Sequence, residues 1–274
     1  MCGGFCKIMN DAVNNANKNP VADVIINGAK RIRNIYSPIS DKPFKISRSK
    51  LDLFLECPCC FYIDRKLGVK RPDTPPYSLN IAVDELLKKE FDACRKTQTP
   101  HPIFLDHNLG FIPFEHPDID KWRDSLHHGV QYAVPNTNLM ITGGIDDVCI
   151  NPKTQELIVV DYKATSKKGP ITLDEDWQIA YKRQIEVYQW LFRKNGFKVS
   201  KIAYFVYCNG KKSAASFDKC LNFEVSLIAY EGDDSWVEPT VMKLYQCLQS
   251  DVIPMHDSEC EYGQYFCAVN GVLK

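Results

Sequence analysis

The sequence has no excess of either charge and no long hydrophobic run. Its 34 basic and 34 acidic side chains cancel to a formal net charge of zero, which excludes an overall positive field that would attract nucleic acid. No stretch approaches the roughly 18 consecutive apolar residues of a membrane-spanning helix. The N-terminal segment is polar and rich in asparagine, where a signal peptide would have an apolar core. We therefore expect a cytoplasmic protein with no membrane partner.

No internal repeat is evident, and the composition is that of an ordinary globular protein, with 274 residues of which 45% are hydrophobic and 25% charged. We expect one α/β domain over residues 46–274. A helical extension, based on the weakly amphipathic run from Val21 to Ile35, occupies residues 1–45. Residues 100–138 contain scattered proline and glycine and are predicted to be an insertion in the domain.

Two apolar runs, Leu139 to Ile150 and Leu157 to Lys163, predict a β-hairpin around a polar, proline-containing connection. If the strands pair from the residues that border this connection, the register places Asp146 directly opposite Asp161. Side chains opposed in this way have Cβ atoms roughly 4.5 to 5.5 Å apart, so two carboxylates repel unless a cation neutralises them. Because hard divalent cations prefer carboxylate oxygens, the pair predicts a metal site.

Lys163 adds an amine to this site, because alternate residues of a strand share one face and it lies two positions after Asp161. A divalent cation and a neighbouring amine can together activate water for attack on phosphorus, which favours phosphodiester cleavage. The alternative is that Asp147 or Asp161 ends a strand and that Lys163 is a solvated edge residue. Composition alone favours that alternative, since charged residues are mostly exposed.

Periodic apolar positions predict further elements around the hairpin. One predicted helix begins at Ser47 or Ser49, and three others cover Leu79 to Cys94, Asp174 to Asn195 and Trp236 to Leu248. The predicted strands cover Lys201 to Cys208 and Leu221 to Ala229. The helix that begins at Leu79 has an apolar side formed by Leu79, Val83, Leu86, Leu87 and Phe91. On the helix from Asp174, one face carries Trp177, Tyr181, Gln184, Tyr188 and Leu191. The aromatic members of that face are expected to be core, whereas a buried Gln184 would need hydrogen-bond partners.

The order of these polar residues forms a pattern. It consists of Gly143-x-x-Asp146, a spacer, two hydrophobic residues with Asp161-x-Lys163, and Gln184-x-x-x-Tyr188 on a helix. This pattern resembles the RecB-type branch of the PD-(D/E)XK nuclease superfamily, which includes helicase-nuclease and CRISPR-associated exonucleases, over residues 46 to 267. The resemblance implies a restriction-endonuclease-like core, a mixed sheet with a central antiparallel hairpin flanked by helices. It also implies that Gln184 and Tyr188 line the active site.

The resemblance further implies a deoxyribonuclease that depends on Mg²⁺ or Mn²⁺ bound by Asp146 and Asp161. Asp84 would be a further ligand, although RecB-type relatives usually carry a histidine at its position, and the main-chain carbonyl of Tyr162 would be another. Lys163 would position the attacking water and help to deprotonate it. DNA would be the substrate, and a helicase or another protein of a nuclease complex would be a partner.

A basic loop follows the second strand and contains Lys167 and Lys168. These lysines are candidates for gripping a phosphate backbone, although surface lysines commonly serve only solubility. A different class of function also stays open, a nuclease-fold scaffold that binds nucleic acid or a protein without cutting. The carboxylate at position 84 favours that alternative. A binding domain without any nucleic-acid role would leave the opposed carboxylates unexplained.

The chain has twelve cysteines and no signal peptide, which favours buried thiols or a metal site over disulfide bonds. Cys57 and Cys60 form a C-x-x-C pair before the core, and Cys260 follows the last predicted helix, but Gly263 stands where the second thiol of its pair would be. The fourth ligand of a metal site has three candidates, namely Cys267, Cys59 and His256. RecB-type nucleases tie such cysteines around an iron–sulfur cluster, and some relatives resemble zinc sites. A structural zinc or iron–sulfur site at Cys57, Cys60, Cys260 and Cys267 is therefore one prediction, and a vestigial site with free thiols is the other.

Overall fold

The structure is a computed structural model that describes residues 30–72 and 77–272. The chain divides into two compact units. Among the described residues, the first comprises 30–72, 133–141 and 238–272, and the second comprises 77–132 and 142–237. Most of the predicted N-terminal helix, residues 21–29, lies outside the described residues, and its last six residues, 30–35, form no helix.

The described residues form eight helices and eight strands. In order they are β1 (Phe44–Ser47), α1 (Arg48–Glu56), α2 (Pro58–Tyr62), a π-helical turn (Ile63–Leu67), α3 (Ser78–Thr97), α4 (Pro102–Leu105), β2 (Ile112–Pro113), α5 (Ile119–Arg123), β3 (Val130–Ala133), β4 (Leu139–Gly143), β5 (Asp147–Ile150), β6 (Leu157–Thr165), a 3₁₀ turn (Asp176–Gln178), α6 (Ile179–Lys194), β7 (Ile202–Gly210), β8 (Phe223–Glu231), α7 (Val237–Gln249) and α8 (Glu261–Val272). The predicted α/β fold class is confirmed. Every helix within the described ranges is too short or too polar to traverse a lipid bilayer.

A mixed five-stranded sheet organises the second unit, with the strand order β2-β5-β6-β7-β8. The β6–β7 pair is parallel and the other pairs are antiparallel. Parallel neighbours need a crossover connection, which α6 supplies between β6 and β7. One face of the sheet packs in a cluster with α3 and α4, which includes Phe91 and Phe104 from the helices and Val160 and Val206 from the strands. A separate three-stranded sheet has the strand order β1-β4-β3.

The predicted hairpin register is confirmed, because Ile150 pairs with Leu157 and Asp147 pairs with Val160. The prediction of one continuous strand from Leu139 to Ile150 is wrong. Its first part is β4 and its last part is β5, which belong to different sheets. The break falls at Gly144, since glycine is a weak strand former and often marks a bend.

The predicted helices are present, with boundary differences that have local causes. Ser47 is the N-cap of α1, although its side chain makes no capping hydrogen bond. The helix α6 begins at Ile179, five residues after the predicted Asp174. Glu175 and Gln178 form a capping box around a preceding 3₁₀ turn, and this turn delays the start of the α-helix.

Two expectations about buried faces are wrong. On α3, Leu87 and Phe91 are buried as predicted, but Leu79 and Leu86 are 56% and 57% exposed. Trp177, predicted to be core, is 51% exposed. The N-terminal part of α3 borders a cavity lined by Val83, so this part of the helix does not pack fully against the core.

Candidate active site

The two glycines that end β4 allow close packing around the site. A Cβ atom at Gly143 would lie 2.7 Å from the ring of Tyr188, and one at Gly144 would lie 2.6 Å from the Cα atom of Ser125. Neither position has room for a side chain. The glycine of the sequence pattern therefore marks the place where α6 approaches the chain just before Asp146.

Asp146 and Asp161 meet at the open end of the β5–β6 pair. Asp146 lies one residue before the first paired position, and its Oδ2 atom accepts a hydrogen bond of 2.8 Å from the main-chain N–H of Tyr162. Asp161 is fully buried, and apart from an ion pair with Lys163 neither of its carboxylate oxygens has a hydrogen-bond partner. Burial raises the pKa of Asp161 to about 7, and the charge of Asp146 adds to this effect while Lys163 opposes it.

Asp84 brings a third carboxylate to the site from α3. Burial raises its pKa, and the negative charge of Asp146 raises it further, so these two carboxylates lie close enough to repel each other. Lys88 partly offsets the repulsion through an ion pair of 2.7 Å with Asp84. The site therefore brings three carboxylates together, and only two ammonium groups, those of Lys88 and Lys163, form ion pairs with them.

Lys163 is held from several sides. Its ammonium pairs with Asp161, lies 3.4 Å from the Oε1 atom of Gln184, and stands 4.6 Å from the ring centroid of Tyr181. Burial alone would lower the pKa of Lys163, but the charges of Asp161 and Asp146 outweigh burial and raise it. Lys163 is therefore a positioned ammonium at neutral pH.

Gln184 and Tyr188 continue this chain of contacts on α6. Gln184 is buried, and its Nε2 atom donates a hydrogen bond of 3.0 Å to the hydroxyl of Tyr188. Its carbonyl oxygen accepts from Lys163. Both the nitrogen and the oxygen of the Gln184 amide have hydrogen-bond partners, as we expected of a buried glutamine. These partners fix the orientation of the amide, so that its oxygen faces Lys163.

A cavity of about 230 Å³ opens beside these groups. It is lined by Asn80, Val83, Asp84, Tyr162, Lys163, Ala164 and Tyr181. This volume is ample for a hydrated divalent cation. The carboxylates here also suit such an ion, because Asp84 lines the cavity and the Oδ1 atom of the buried Asp161 has no hydrogen-bond partner.

A buried ion network supports the turn that carries Asp146, and the sequence patterns did not reveal it. Asp147 forms an ion pair with Arg95, and its Oδ2 atom accepts hydrogen bonds from Arg123 at 2.6 Å and from the Tyr162 hydroxyl at 2.9 Å. Arg123 also donates to the main-chain oxygen of Asp146 at 3.2 Å. The two arginines come from α3 and α5, far from Asp147 in sequence. The sequence gives one indication of this network: successive residues of a strand face opposite sides, so Asp147 must point away from the side that Asp146 faces.

We expect Asp147→Asn to lower the free energy of unfolding by about 3 kcal/mol, because it removes one of the two carboxylates that pair with Arg95 and Arg123 and leaves only Asp92 to compensate them. Urea unfolding of the variant would measure the effect. Asp118→Asn is the matched control, since it breaks a surface ion pair of 2.6 Å with Lys121 and should leave the unfolding midpoint unchanged. Equal midpoints for wild type and Asp147→Asn would contradict the structural role of the network.

The predicted phosphate-binding lysines lie directly after β6. Lys167 makes an ion pair of 2.7 Å with Glu175, and its main-chain N–H donates to the side chain of Asn209 at 3.0 Å. Lys168 is exposed. Their role in gripping nucleic acid stays a prediction.

A second cluster, which we call the cysteine–histidine group, lies in the first unit and consists of Cys57, Cys60, His256 and Cys260. The four ligand atoms all lie within 4.8 Å of one another, close enough to hold one metal ion. The structure thus brings in His256 as the fourth member, whereas Cys267, which the sequence analysis preferred, is exposed and outside the group. The hydrogen bond with Cys60 lowers the pKa of Cys57 to about 4, and the same contact raises the pKa of Cys60.

Comparison with known families gave one match that spans both clusters. The family model for the PD-(D/E)XK nuclease superfamily matches residues 45–272. Among solved structures, the crystal structure of SSO0001 matches with 13% sequence identity and a TM-score of 0.39, covering 91% of this chain and 96% of that chain. A comparison with curated protein sequences found no match.

Proposed function

Because the chain belongs to the PD-(D/E)XK nuclease superfamily, we propose that it is a metal-dependent deoxyribonuclease that hydrolyses phosphodiester bonds in DNA, in repair, recombination or defence. The observation that carries this proposal is the fully buried Asp161, whose oxygens have no hydrogen-bond partner beyond the Lys163 ion pair. Burying Asp161 beside Asp146 with the single ammonium of Lys163 to compensate them is costly. A divalent cation shared with Asp146 would remove that cost.

Asp146 and Asp161 would hold Mg²⁺ or Mn²⁺, with Asp84 as a further ligand and the main-chain carbonyl of Tyr162 as another. When bound, the ion supplies Lewis-acid stabilisation of the negative charge that develops on the phosphate during displacement. Burial raises the pKa of Asp84 and of Asp161, and the charge of Asp146 raises both further, so a bound cation would stabilise the ionised carboxylates. The cavity beside them receives the scissile phosphate.

Lys163 acts on the attacking water. Its raised pKa keeps it as an ammonium, so it would donate a hydrogen bond to the attacking water and stabilise the negative charge that develops there as the water gives its proton to solvent. Asp161 and the ring of Tyr181 restrict the position of its Nζ atom. Gln184 and Tyr188 orient the same Nζ atom through the carbonyl oxygen of Gln184. Lys167 and Lys168 grip the DNA backbone next to the cavity.

Cleavage of labelled single-stranded and double-stranded DNA in the presence of Mg²⁺, Mn²⁺ or a chelator tests the proposal. We expect cleavage with either cation and none with the chelator. A protein that binds DNA and does not cut it under any of these conditions would contradict the proposal.

The second candidate is a scaffold with the nuclease fold that binds nucleic acid or a protein of a nuclease complex, such as a helicase. One observation favours it. Asp84, which replaces the histidine usual in RecB-type relatives, is engaged by Lys88 at 2.7 Å, and this ammonium competes with a metal ion for the carboxylate. DNA binding that is unchanged by a chelator, together with absent cleavage, would support this candidate.

The cysteine–histidine group holds a separate metal ion with a structural role. Its ligands come from α2 and its N-cap and from the segment before α8, and Cys57 and His256 are 199 residues apart in sequence. Closing so long a loop through one ion would stabilise the first unit, because the unfolded chain gives up conformational entropy when its distant parts are tied together.

A further inference from the structure

We infer that the cysteine–histidine group is a mononuclear zinc site, in which His256 replaces a fourth thiolate and thereby excludes an iron–sulfur cluster. The inference rests on the proposed presence of a structural metal ion and adds the identity of that ion. It does not depend on whether the protein cleaves DNA.

The spacing of the ligand atoms fits a single ion. Tetrahedral zinc has bonds of about 2.3 Å to sulfur and about 2.0 to 2.1 Å to nitrogen, which places its ligand atoms roughly 3.3 to 3.8 Å from one another. The Nδ1 atom of His256 lies 3.4 Å from the sulfur of Cys57 and 3.7 Å from that of Cys60, and the sulfur atoms of Cys60 and Cys260 are 3.6 Å apart. In a four-iron cluster each thiolate binds a different iron atom, so the thiolates stand farther apart than around one ion. The observed spacing therefore favours one metal ion.

His256 occupies the space that a fourth cysteine would need. The spacing of the Cys57 and Cys60 pair, repeated from Cys260, would put a thiol at position 263, where the chain has glycine. A Cβ atom on Gly263 would lie 2.7 Å from the Cγ atom and 2.9 Å from the Nδ1 atom of His256. The imidazole at position 256 and a side chain at position 263 therefore exclude one another. Glycine at position 263 thus leaves the space that the imidazole of His256 fills.

The surroundings also suit three thiolates and one divalent ion. Cys57, Cys60 and Cys260 are buried, and with zinc they would carry one net negative charge. The guanidinium of Arg71 lies 3.6 Å from the sulfur of Cys260, and the main-chain N–H of Gly263 donates to the same sulfur at 3.4 Å. A buried charge is tolerated when it has such partners. Zinc accepts mixtures of cysteine and histidine, whereas four-iron clusters are held by four thiolates.

Metal analysis of the full-length protein, produced with both zinc and iron in the medium and purified without oxygen, tests the inference. We expect about one zinc per chain, no stoichiometric iron and no visible absorption band. Removal of the zinc by a chelator should lower the melting temperature. Stoichiometric iron with acid-labile sulfide, or a protein without either metal, would overturn the inference.

Four variants test the exchange between the two positions. Zinc content should fall in His256→Ala, which removes a ligand, and in Gly263→Cys, whose new side chain collides with the imidazole. Zinc content should recover in the double variant His256→Ala/Gly263→Cys, where the new thiol enters the vacated space. Cys267→Ser is the matched control and should keep its zinc. Full zinc content in His256→Ala, or loss of zinc in Cys267→Ser, would show that His256 is not the fourth ligand.

DNA cleavage is not a readout in these experiments. If the metal analysis fails while the protein cuts DNA, only the zinc inference is overturned. If zinc is present while the protein never cuts, only the proposed nuclease activity is overturned.

Discussion

Replacing Lys163 with alanine is expected to slow DNA cleavage by about 10²- to 10⁴-fold, the range that a positioned group contributes when it assists proton transfer. The ammonium of Lys163 lies against Asp161 and Gln184 and lines the cavity where the phosphate would bind. Without it, the charge that forms on the attacking water has no fixed donor. The reaction would then keep only the stabilisation that the metal ion supplies.

The fold should survive this substitution, although Lys163 is paired with a buried carboxylate. Burial already raises the pKa of Asp161 to about 7, so Asp161 can take up a proton when its partner is lost. Single-turnover cleavage with enzyme in excess, combined with thermal melting of the same samples, separates a chemical defect from an unfolded protein. Lys153→Ala, at an exposed position in the β5–β6 connection, is the matched control. A folded Lys163→Ala protein that cuts at the wild-type rate would refute the assigned role.

The second large effect is expected from Asp161→Asn, which should weaken Mn²⁺ binding by more than about 100-fold and abolish cleavage. Loss of a group that only orients a metal ligand typically costs about 10- to 100-fold in affinity, and Asp161 is assigned as a direct ligand. The asparagine keeps the shape of the side chain and removes its charge. The protein without metal should remain folded, because the ammonium of Lys163 keeps the carbonyl oxygen of Gln184 and the ring of Tyr181 as partners.

Calorimetric titration with Mn²⁺ measures this effect directly. Asp106→Asn, an exposed acid before β2, is the matched control and should bind Mn²⁺ like wild type. Equal affinities for wild type and Asp161→Asn would remove the acidic pair as a metal site. The zinc site in the first unit should be unaffected in both variants.

The register of the hairpin could be predicted from the sequence because a polar connection and two apolar runs leave few ways to pair the strands. That register brought Asp146 toward Asp161 and put Lys163 on the same face, and the structure has these three groups in one place. The helical spacing placed Gln184 and Tyr188 on one face of a helix, and in the structure the two side chains are joined by a hydrogen bond. These contacts are local, or they follow from one pairing, and periodicity is sufficient to find them.

Contacts that join distant parts of the chain could not be predicted in this way. No pattern links Asp147 to Arg95 and Arg123, since each arginine alone is an ordinary helical surface residue by composition. The choice of His256 over Cys267 depends on the folded path of the chain before α8. The break between β4 and β5 was missed because a run of apolar residues on both sides of two glycines has the same periodicity as one strand.

The neighbouring carboxylates of Asp146 and Asp147 lie in different environments, so the number of residues in the turn between β4 and β5 is critical. One faces the acidic cluster and accepts the N–H of Tyr162, and the other is neutralised by two arginines. A residue inserted between Asp146 and Asp147 would move one of the two carboxylates out of its environment, and a neighbouring residue would face the acidic cluster or the two arginines instead. We therefore expect this turn to tolerate apolar substitutions of similar size at the buried Ile145 but not a change in the number of residues.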